Sequence, residues 1–270
     1  MAACNLLPPA ERKARQETKQ LAALRFLSQV IYSTPEIIGR AMGLQTSAWY
    51  RALHQLEREE LIMRAEIDLG IPGGGRKFAL WGITPHGQGM AHALCGVPIS
   101  NRCFRPTEVS VSTLLHFLGL QKLQLAAERA SWTAWTYSDL GAFYGPINRP
   151  DAIARSSKGY LFAIEYERTL KNPRRYQEIL GAHLNAIRGG KVTGAIWVAP
   201  GEAMLGTLRE HILRVEEVPP LVKGMSKLKV NPAQDHKYLY FLTETSFPFP
   251  QDHQAPKAPP VVKVPMAQAG

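Results

Sequence analysis

The feature that most constrains the fold is a short apolar segment that carries two acidic residues. Residues 160–167 read Tyr-Leu-Phe-Ala-Ile-Glu-Tyr-Glu, and this aromatic and β-branched composition predicts a buried β-strand. Side chains alternate along a strand, so Glu165 and Glu167 share one face. A turn at 156–159 separates this strand from a second predicted strand at 151–155. The resulting hairpin is expected to bring Asp151 beside the two glutamates.

Three neighbouring carboxylates repel one another unless a cation lies between them. Oxygen-only ligands favour Mg²⁺ or Mn²⁺. The sequence therefore predicts a divalent metal site formed by Asp151, Glu165 and Glu167. The alternative is that both glutamates lie on the solvent face of an edge strand.

The elements around this hairpin predict an α/β domain over residues 108–246. Helical and strand patterns alternate there in the order helix, three strands, helix, strand, helix, strand. The helix after Glu167 is expected to span 169–187, with cations at its start. From residue 247 onward, six prolines without hydrophobic periodicity predict a disordered tail to residue 270.

The first part of the chain predicts a winged helix over residues 16–95, after a polar leader at 1–15. Two short helices are joined by a glycine turn at Gly43, and Ser33-Thr-Pro-Glu marks the start of the first. Two strands follow, around a glycine-rich loop at 70–77. A helix-turn-helix followed by such a hairpin is the winged-helix pattern. A glycine- and proline-rich linker is expected at 96–107.

In a winged helix that binds DNA, the second helix enters the major groove. Its polar face and the wing give the predicted DNA-binding residues: Tyr50, Arg51, His54, Arg58, Arg76 and Lys77. Two alternatives stay open, namely that the winged helix contacts protein and that Arg51 is a solvated surface charge.

The composition favours a polyanionic partner and an intracellular location. Lysine and arginine number 32 against 22 acidic residues, a formal net charge of +10, which favours nucleic acid. Three cysteines without a Cys-x-x-Cys pair argue against zinc and a disulfide framework, and indicate a reducing compartment. No apolar run approaches the roughly 18 residues of a membrane span, so a cytoplasmic protein is expected, with no membrane partner.

The Pro-Asp, hairpin, Glu-x-Glu pattern resembles a variant of the PD-(D/E)xK (restriction-endonuclease-like) nuclease core, with Glu167 at the usual lysine position. The order of elements is similar as well. Two segments, Arg149-Pro-Asp-Ala152 and Phe162-Ala-Ile-Glu-Tyr-Glu-Arg-Thr169, together with the winged helix, resemble the replication-relaxation family. That family includes MobC-type relaxases of mobilisable plasmids.

The resemblance implies a metal-dependent enzyme that nicks one DNA strand at a transfer origin. The implied partners are origin DNA, an accessory relaxosome protein and a coupling protein. His116 falls near a family position and is a candidate catalytic residue, although a buried structural histidine is an equal interpretation. With no lysine in the Glu-x-Lys position, Lys171 or Arg168 is expected to stabilise the phosphorane.

Several alternatives remain at this stage. Tyr160, Tyr166 and Tyr176 are close enough in sequence for a tyrosyl-phosphodiester route, and packing roles are the competing interpretation. The whole chain is alternatively a sequence-specific DNA-binding regulator or mobilisation accessory with an inert core. A third possibility is a nuclease that cuts both strands.

Overall fold

The described part of the chain forms two compact units, which divide between Gln121 and Lys122. The computed structural model describes residues 8–44, 46–68, 77–98, 100–137, 148–220 and 227–249. Helices and strands are mixed in it, so the predicted mixed α/β class is confirmed. The division lies within a helix, beyond the predicted linker at 96–107. No helix of the described residues is long and apolar enough to cross a membrane.

The first unit combines helices with a small antiparallel sheet of strand order β1-β3-β2. Its elements are α1 (Pro9–Val30), β1 (Tyr32–Ser33), α2 (Pro35–Ala41), α3 (Thr46–Arg58), β2 (Ile62–Asp68), β3 (Lys77–Ile83), α4 (Pro85–Cys95) and the start of α5 (Val111–Arg129).

Local signals explain where these helices begin and end. The Thr34 side chain accepts a hydrogen bond from the Ile37 amide, and Pro35 occupies the first turn of α2. After α2 the chain turns at Gly43, whose φ of 67° favours glycine. Thr84 caps α4 in the same way as Thr34 caps α2.

The first helix begins seven residues earlier than the predicted start at Gln16, so the polar leader is shorter than 1–15. Pro9 occupies the first turn of α1, and the residues that follow are alanine, glutamate, arginine and lysine, which are good helix formers. These first turns are exposed. An exposed helical segment needs no apolar stripe, so hydrophobic periodicity does not reveal it.

The second unit is built on a mixed five-stranded sheet of order β10-β7-β6-β5-β4. Its elements are β4 (Thr133–Thr136), β5 (Ala152–Arg155), β6 (Leu161–Tyr166), α6 (Pro173–Arg188), β7 (Gly194–Ala199), α7 (Glu202–Leu213), β8 (Glu217–Val218), β9 (Leu228–Lys229), α8 (Pro232–Asp235) and β10 (Leu239–Thr243). Strands β4, β5 and β6 form an antiparallel meander. Strand β7 runs parallel to β6, and β10 runs parallel to β7.

The start of α6 differs from the predicted start at Thr169. Asn172 caps the helix by accepting a hydrogen bond of 2.9 Å from the Arg175 amide, and Pro173 follows in the first turn. Proline disfavours helical dihedral angles in the residue that precedes it. The four residues after Glu167 therefore form a connection, and Lys171 lies in it.

The two faces of the sheet pack against different side chains. On one face, Trp197 of β7 lies in the core cluster with Tyr176 and Leu180 of α6. On the other face, the Phe162 ring lies 5.7 Å from the Trp132 ring, measured between centroids. Phe247, the first residue of the predicted tail, is buried, and its ring lies 5.7 Å from Trp132. The ordered segment thus extends past residue 246.

Candidate functional site

Asp151 and Glu165 lie opposite each other on neighbouring strands. Strand β5 pairs with β6 so that Ala152 faces Ile164, and the same register places Asp151 opposite Glu165. A hydrogen bond of 2.8 Å from the Tyr166 amide to Oδ2 of Asp151 fixes this arrangement. The hairpin therefore brings together the two acids that the sequence places 14 residues apart.

Glu167 follows β6 and forms an ion pair with Lys171. The Glu167 amide donates a hydrogen bond of 2.8 Å to the Val198 carbonyl, which keeps the chain extended beside β7. The Glu167 carboxylate is almost completely buried and contacts the Lys171 ammonium group, which is one-third exposed. The connection before α6 thus supplies a lysine at the acid cluster, although the strand carries none.

His183 is a member of this cluster that the sequence reasoning missed. It lies on α6, and a hydrogen bond of 2.9 Å joins its Nε2 to Oε1 of Glu165. Both side chains are buried, at 0% and 4% exposure. The only available signal was a histidine within the apolar stripe of the helix that follows the acidic strand.

Burial and repulsion disfavour the charged form of Glu165. Burial raises the pKa of Glu165 well above its usual value, and the negative charges of Asp151 and Glu167 raise it further. Lys171 and Arg175 act in the opposite direction. Burial lowers the pKa of His183 to about 3, despite the opposing effect of Asp151, so the imidazole is neutral. A cation next to Glu165 would offset the repulsion from Asp151.

The residues at this cluster fit a divalent cation held by two carboxylates. Across the described ranges, no three His, Cys, Asp or Glu side chains are grouped as metal ligands, and Glu167 is engaged by Lys171. Asp151 and Glu165 fit best, because Mg²⁺ commonly binds through one or two carboxylates and completes its shell with water and phosphate oxygens. The three-ligand set of Asp151, Glu165 and Glu167 stays a prediction.

The three tyrosines considered as nucleophiles have different surroundings. The Tyr176 side chain is fully buried, and its hydroxyl accepts a hydrogen bond of 3.0 Å from the Lys171 amide. The Tyr166 hydroxyl contacts Glu244, and Tyr166 alternates with Glu165 along β6, so it lies on the other face of the sheet. Tyr160 is partly exposed near the turn between β5 and β6, at the other end of the hairpin from Asp151. This geometry favours packing roles for Tyr166 and Tyr176.

Several cations follow the acid cluster in the sequence. The exposed Arg168 side chain is hydrogen-bonded to the Tyr166 hydroxyl, on the other face of the sheet. Arg174 is 89% exposed in the first turn of α6. Arg175 contacts Asn148 and forms an ion pair of 3.1 Å with Glu178. Exposed cations next to buried acids suit a substrate whose backbone is negatively charged.

The predicted DNA-binding face of α3 is exposed. Leu53 and Leu56 are fully buried, and the residues between them point away from the core. Four of the predicted DNA-binding residues lie on this outer face: Tyr50, Arg51, His54 and Arg58. His54 is hydrogen-bonded at 3.1 Å to Glu57, and the Tyr50 ring stacks on it with 6.4 Å between centroids.

The wing residues are only partly described. Arg76 lies outside the described residues. Lys77 is the first residue of β3, and its side chain is 66% exposed, with its Nζ 4.0 Å from Glu66. Such a weak ion pair leaves the ammonium group accessible to a phosphate.

His116 belongs to the first unit, whereas the acid cluster belongs to the second. It lies on α5 and lines a cavity of about 520 Å³ together with Tyr32, Arg102 and Arg105. Nothing in this cavity reproduces the chemistry expected of a nuclease centre. The catalytic role of His116 stays a prediction.

Comparison with models of known protein families gives no match for this chain. Comparison with curated proteins gives none either.

Proposed function

We propose that this chain is a metal-dependent, DNA-nicking relaxase of the replication-relaxation type. It binds a transfer origin through its first unit and cleaves one strand with its second, to start conjugative mobilisation. The observation that carries the proposal is the pairing of Asp151 with Glu165 beside the Glu167–Lys171 ion pair. Glu165 and Glu167 are buried at one end of the hairpin, and Asp151 and Lys171 are partly exposed there.

The topology of the second unit supports a PD-(D/E)xK-like core. That core has a helix, a three-strand meander, a crossover helix and a further strand. Here the meander β4-β5-β6 leads through α6 to β7, which is parallel to β6. Asp151 directly precedes the second strand of the meander and Glu165 lies on the third, and the nuclease family keeps its metal ligands at these strands.

The first unit supports a winged helix. Helices α2 and α3 are joined by a short turn at Gly43, and β2 and β3 form an antiparallel hairpin after them. Strand β1 adds to the hairpin as the third strand. The exposed face of α3 would then contact the bases, and Lys77 would contact phosphate.

Each residue of the acid cluster has a distinct part in the proposed reaction. Asp151 and Glu165 would hold Mg²⁺ or Mn²⁺, which would supply an activated water and offset charge on the scissile phosphate. Glu167 positions the Lys171 ammonium group, which stabilises the phosphorane. Arg174, exposed in the first turn of α6, binds a flanking backbone phosphate.

The proposed partners follow from this activity. They are the DNA of the transfer origin, an accessory relaxosome protein and a coupling protein, and the reaction takes place in the cytoplasm. The net charge of +10 favours the DNA contact.

A second candidate is a DNA-binding regulator or mobilisation accessory with an inert core. The observation that favours it is the lack, among the described residues, of three grouped metal-ligating side chains. In this case the winged helix retains its role, and the second unit serves assembly.

A nicking assay separates the two candidates. Supercoiled plasmid carrying the origin of the element that encodes the chain is incubated with the protein and Mn²⁺. We expect open circles from the wild type and none above the metal-free level from Asp151→Ala. Glu216→Ala, which removes an exposed acid of the same unit, should retain wild-type nicking.

Three other results would contradict the proposal. Intact supercoils with the wild type, or equal nicking by Asp151→Ala, would favour the inert core. Linear product would indicate cleavage of both strands.

A further inference from the structure

His183 is buried where an apolar side chain would be expected. It is fully buried, and its ring lies edge-on to the Trp197 ring with 5.6 Å between centroids. Burial of a polar group is costly unless a hydrogen bond compensates for it. The bond to Glu165 supplies that compensation, and it links helix α6 to the acid cluster.

The geometry of this bond leaves one oxygen of Glu165 available. Oε1 is held by Nε2 of His183 at 2.9 Å. Within the residues that the structure describes, no hydrogen bond reaches Oε2. Glu165 is the Cα partner of Trp197 on β7, and the Trp197 ring contacts the imidazole. The hydrogen bond to His183 therefore holds the carboxyl group from the side of α6.

We propose that His183 is a positioning residue that holds one oxygen of Glu165, so that the other is directed toward a divalent cation shared with Asp151. The inference rests on the proposed metal-dependent function and extends it to a residue outside the acid motif. A residue that hydrogen-bonds to a metal ligand without touching the metal typically contributes about 10–100-fold to metal affinity. The imidazole itself need not touch the metal or the DNA.

The test compares three substitutions at this position in the full-length protein. His183→Gln places an amide nitrogen near the position of Nε2, His183→Asn places one near Nδ1, and His183→Leu removes the hydrogen bond. Mn²⁺ binding is measured by electron paramagnetic resonance without DNA, and Asp151→Asn defines the fraction that depends on the acid cluster. Circular dichroism and thermal unfolding confirm that each variant is folded.

We expect His183→Gln to retain the Asp151-dependent Mn²⁺ affinity within about 3-fold, and His183→Asn to lose about 10-fold or more. His183→Leu should resemble His183→Asn, and the glutamine–asparagine pair suffices if the leucine variant does not fold. In nicking assays, the loss should appear as a higher Mn²⁺ requirement, with the rate largely recovered at saturating Mn²⁺. A merely structural histidine would lower the melting temperature without separating glutamine from asparagine.

The outcomes for the inference and for the function are distinct. Equal Mn²⁺ affinity in the wild type and the folded His183→Asn or His183→Leu variant would overturn the positioning role, whether or not the protein nicks DNA. Equal weakening in the glutamine and asparagine variants would do the same. Asp151-dependent Mn²⁺ binding with the expected pattern but no nicking would support the positioning role and overturn the relaxase. If the wild type has no Asp151-dependent Mn²⁺ binding, the positioning role is wrong.

Discussion

At the scale of single residues, Lys171 occupies the acid cluster from an unexpected place in the sequence. Strand β6 carries Glu165, and Glu167 follows it, at the position where the proposed nuclease-like motif would have a lysine. Lys171 contacts Glu167 from the connection that leads to the Asn172 cap of α6. The positive charge of Lys171, four residues after Glu167, thus lies beside the acids although neither glutamate is replaced by a lysine.

We expect Lys171→Met to slow nicking about 100-fold or more, because a positioned cation is lost from the phosphorane. Asp151-dependent Mn²⁺ binding should persist, since Lys171 is not a ligand. Lys158→Met is the control, because Lys158 is exposed in the turn at the opposite end of the hairpin. The measurement is the rate of open-circle formation at saturating Mn²⁺, and equal rates for the two variants would exclude a catalytic Lys171.

At the scale of elements, α2 and α3 meet where the Trp49 side chain packs against Gly39. A methyl group added at Gly39 of α2 would lie 2.1 Å from Cε3 of Trp49 on α3. This contact requires a glycine, and it sets the separation between the two helices. The orientation of the exposed α3 face depends on it.

Gly39→Ala should therefore destabilise the first unit by about 1–3 kcal/mol, because the two helices must separate. Gly89→Ala is the matched control, since a methyl group at Gly89 of α4 meets nothing within 4 Å. That control should be neutral or stabilising by up to about 1 kcal/mol, because alanine is the better helix former. Denaturant unfolding of both variants measures the difference, and the packing argument fails if Gly39→Ala is as stable as Gly89→Ala.

The exposed face of α3 gives a prediction about DNA affinity. Arg51→Ala should weaken binding to origin duplex and reduce the slope of log K against log salt by about 1 if the guanidinium contacts a phosphate. Lys13→Ala on α1 removes the same charge from a side chain that is 81% exposed, and it should leave the slope unchanged. Titration by fluorescence anisotropy at several salt concentrations makes the comparison, and equal slopes would indicate an effect of net charge alone.

Sequence patterns predicted most elements because buried apolar side chains recur in the sequence with the period of the helix or strand that carries them. The stripe of Leu53 and Leu56 on α3 and the apolar run of β6 both follow from it. The first turns of α1 have no such apolar pattern, because they are exposed. Asn172 was missed as the cap of α6 because Thr169, three residues earlier, also suits a helix start.

The site was predictable only where the chemistry appears as a local motif. Asp151, Glu165 and Glu167 stand out because acids rarely adjoin a buried strand. His183 did not stand out, because a single histidine in an apolar stripe gives no indication of its partner. That pairing depends on where α6 crosses the sheet, which is a tertiary property.

At the scale of the whole molecule, the two units carry different parts of the proposed function. The α3 face belongs to the first unit and the acid cluster to the second. The boundary between the units, after Gln121, falls within the residue range of α5. Binding and cleavage should therefore respond to different substitutions.

We expect the double variant Asp151→Asn/Glu165→Gln to bind origin duplex with wild-type affinity in the absence of metal and to nick none of it. Arg51→Ala should show the reverse, with weaker duplex binding and unchanged Asp151-dependent Mn²⁺ affinity. Anisotropy titration and electron paramagnetic resonance on the same preparations test both. Loss of duplex binding in the folded double variant would show that the acid cluster also forms the main DNA-binding surface.

The turn between β5 and β6 has a consequence for how related chains can vary in length. Its geometry is fixed by hydrogen bonds of 2.9 Å from the Gly159 amide to the Ser156 carbonyl and of 2.8 Å from the Ser156 amide to the Tyr160 carbonyl. One inserted residue that shifted the pairing by a single step would exchange the two faces of β6, and both acids would then face the aromatic side. Insertions of an even number of residues would keep Glu165 and Glu167 on their present face. The length of this hairpin should therefore vary among related chains in steps of two residues.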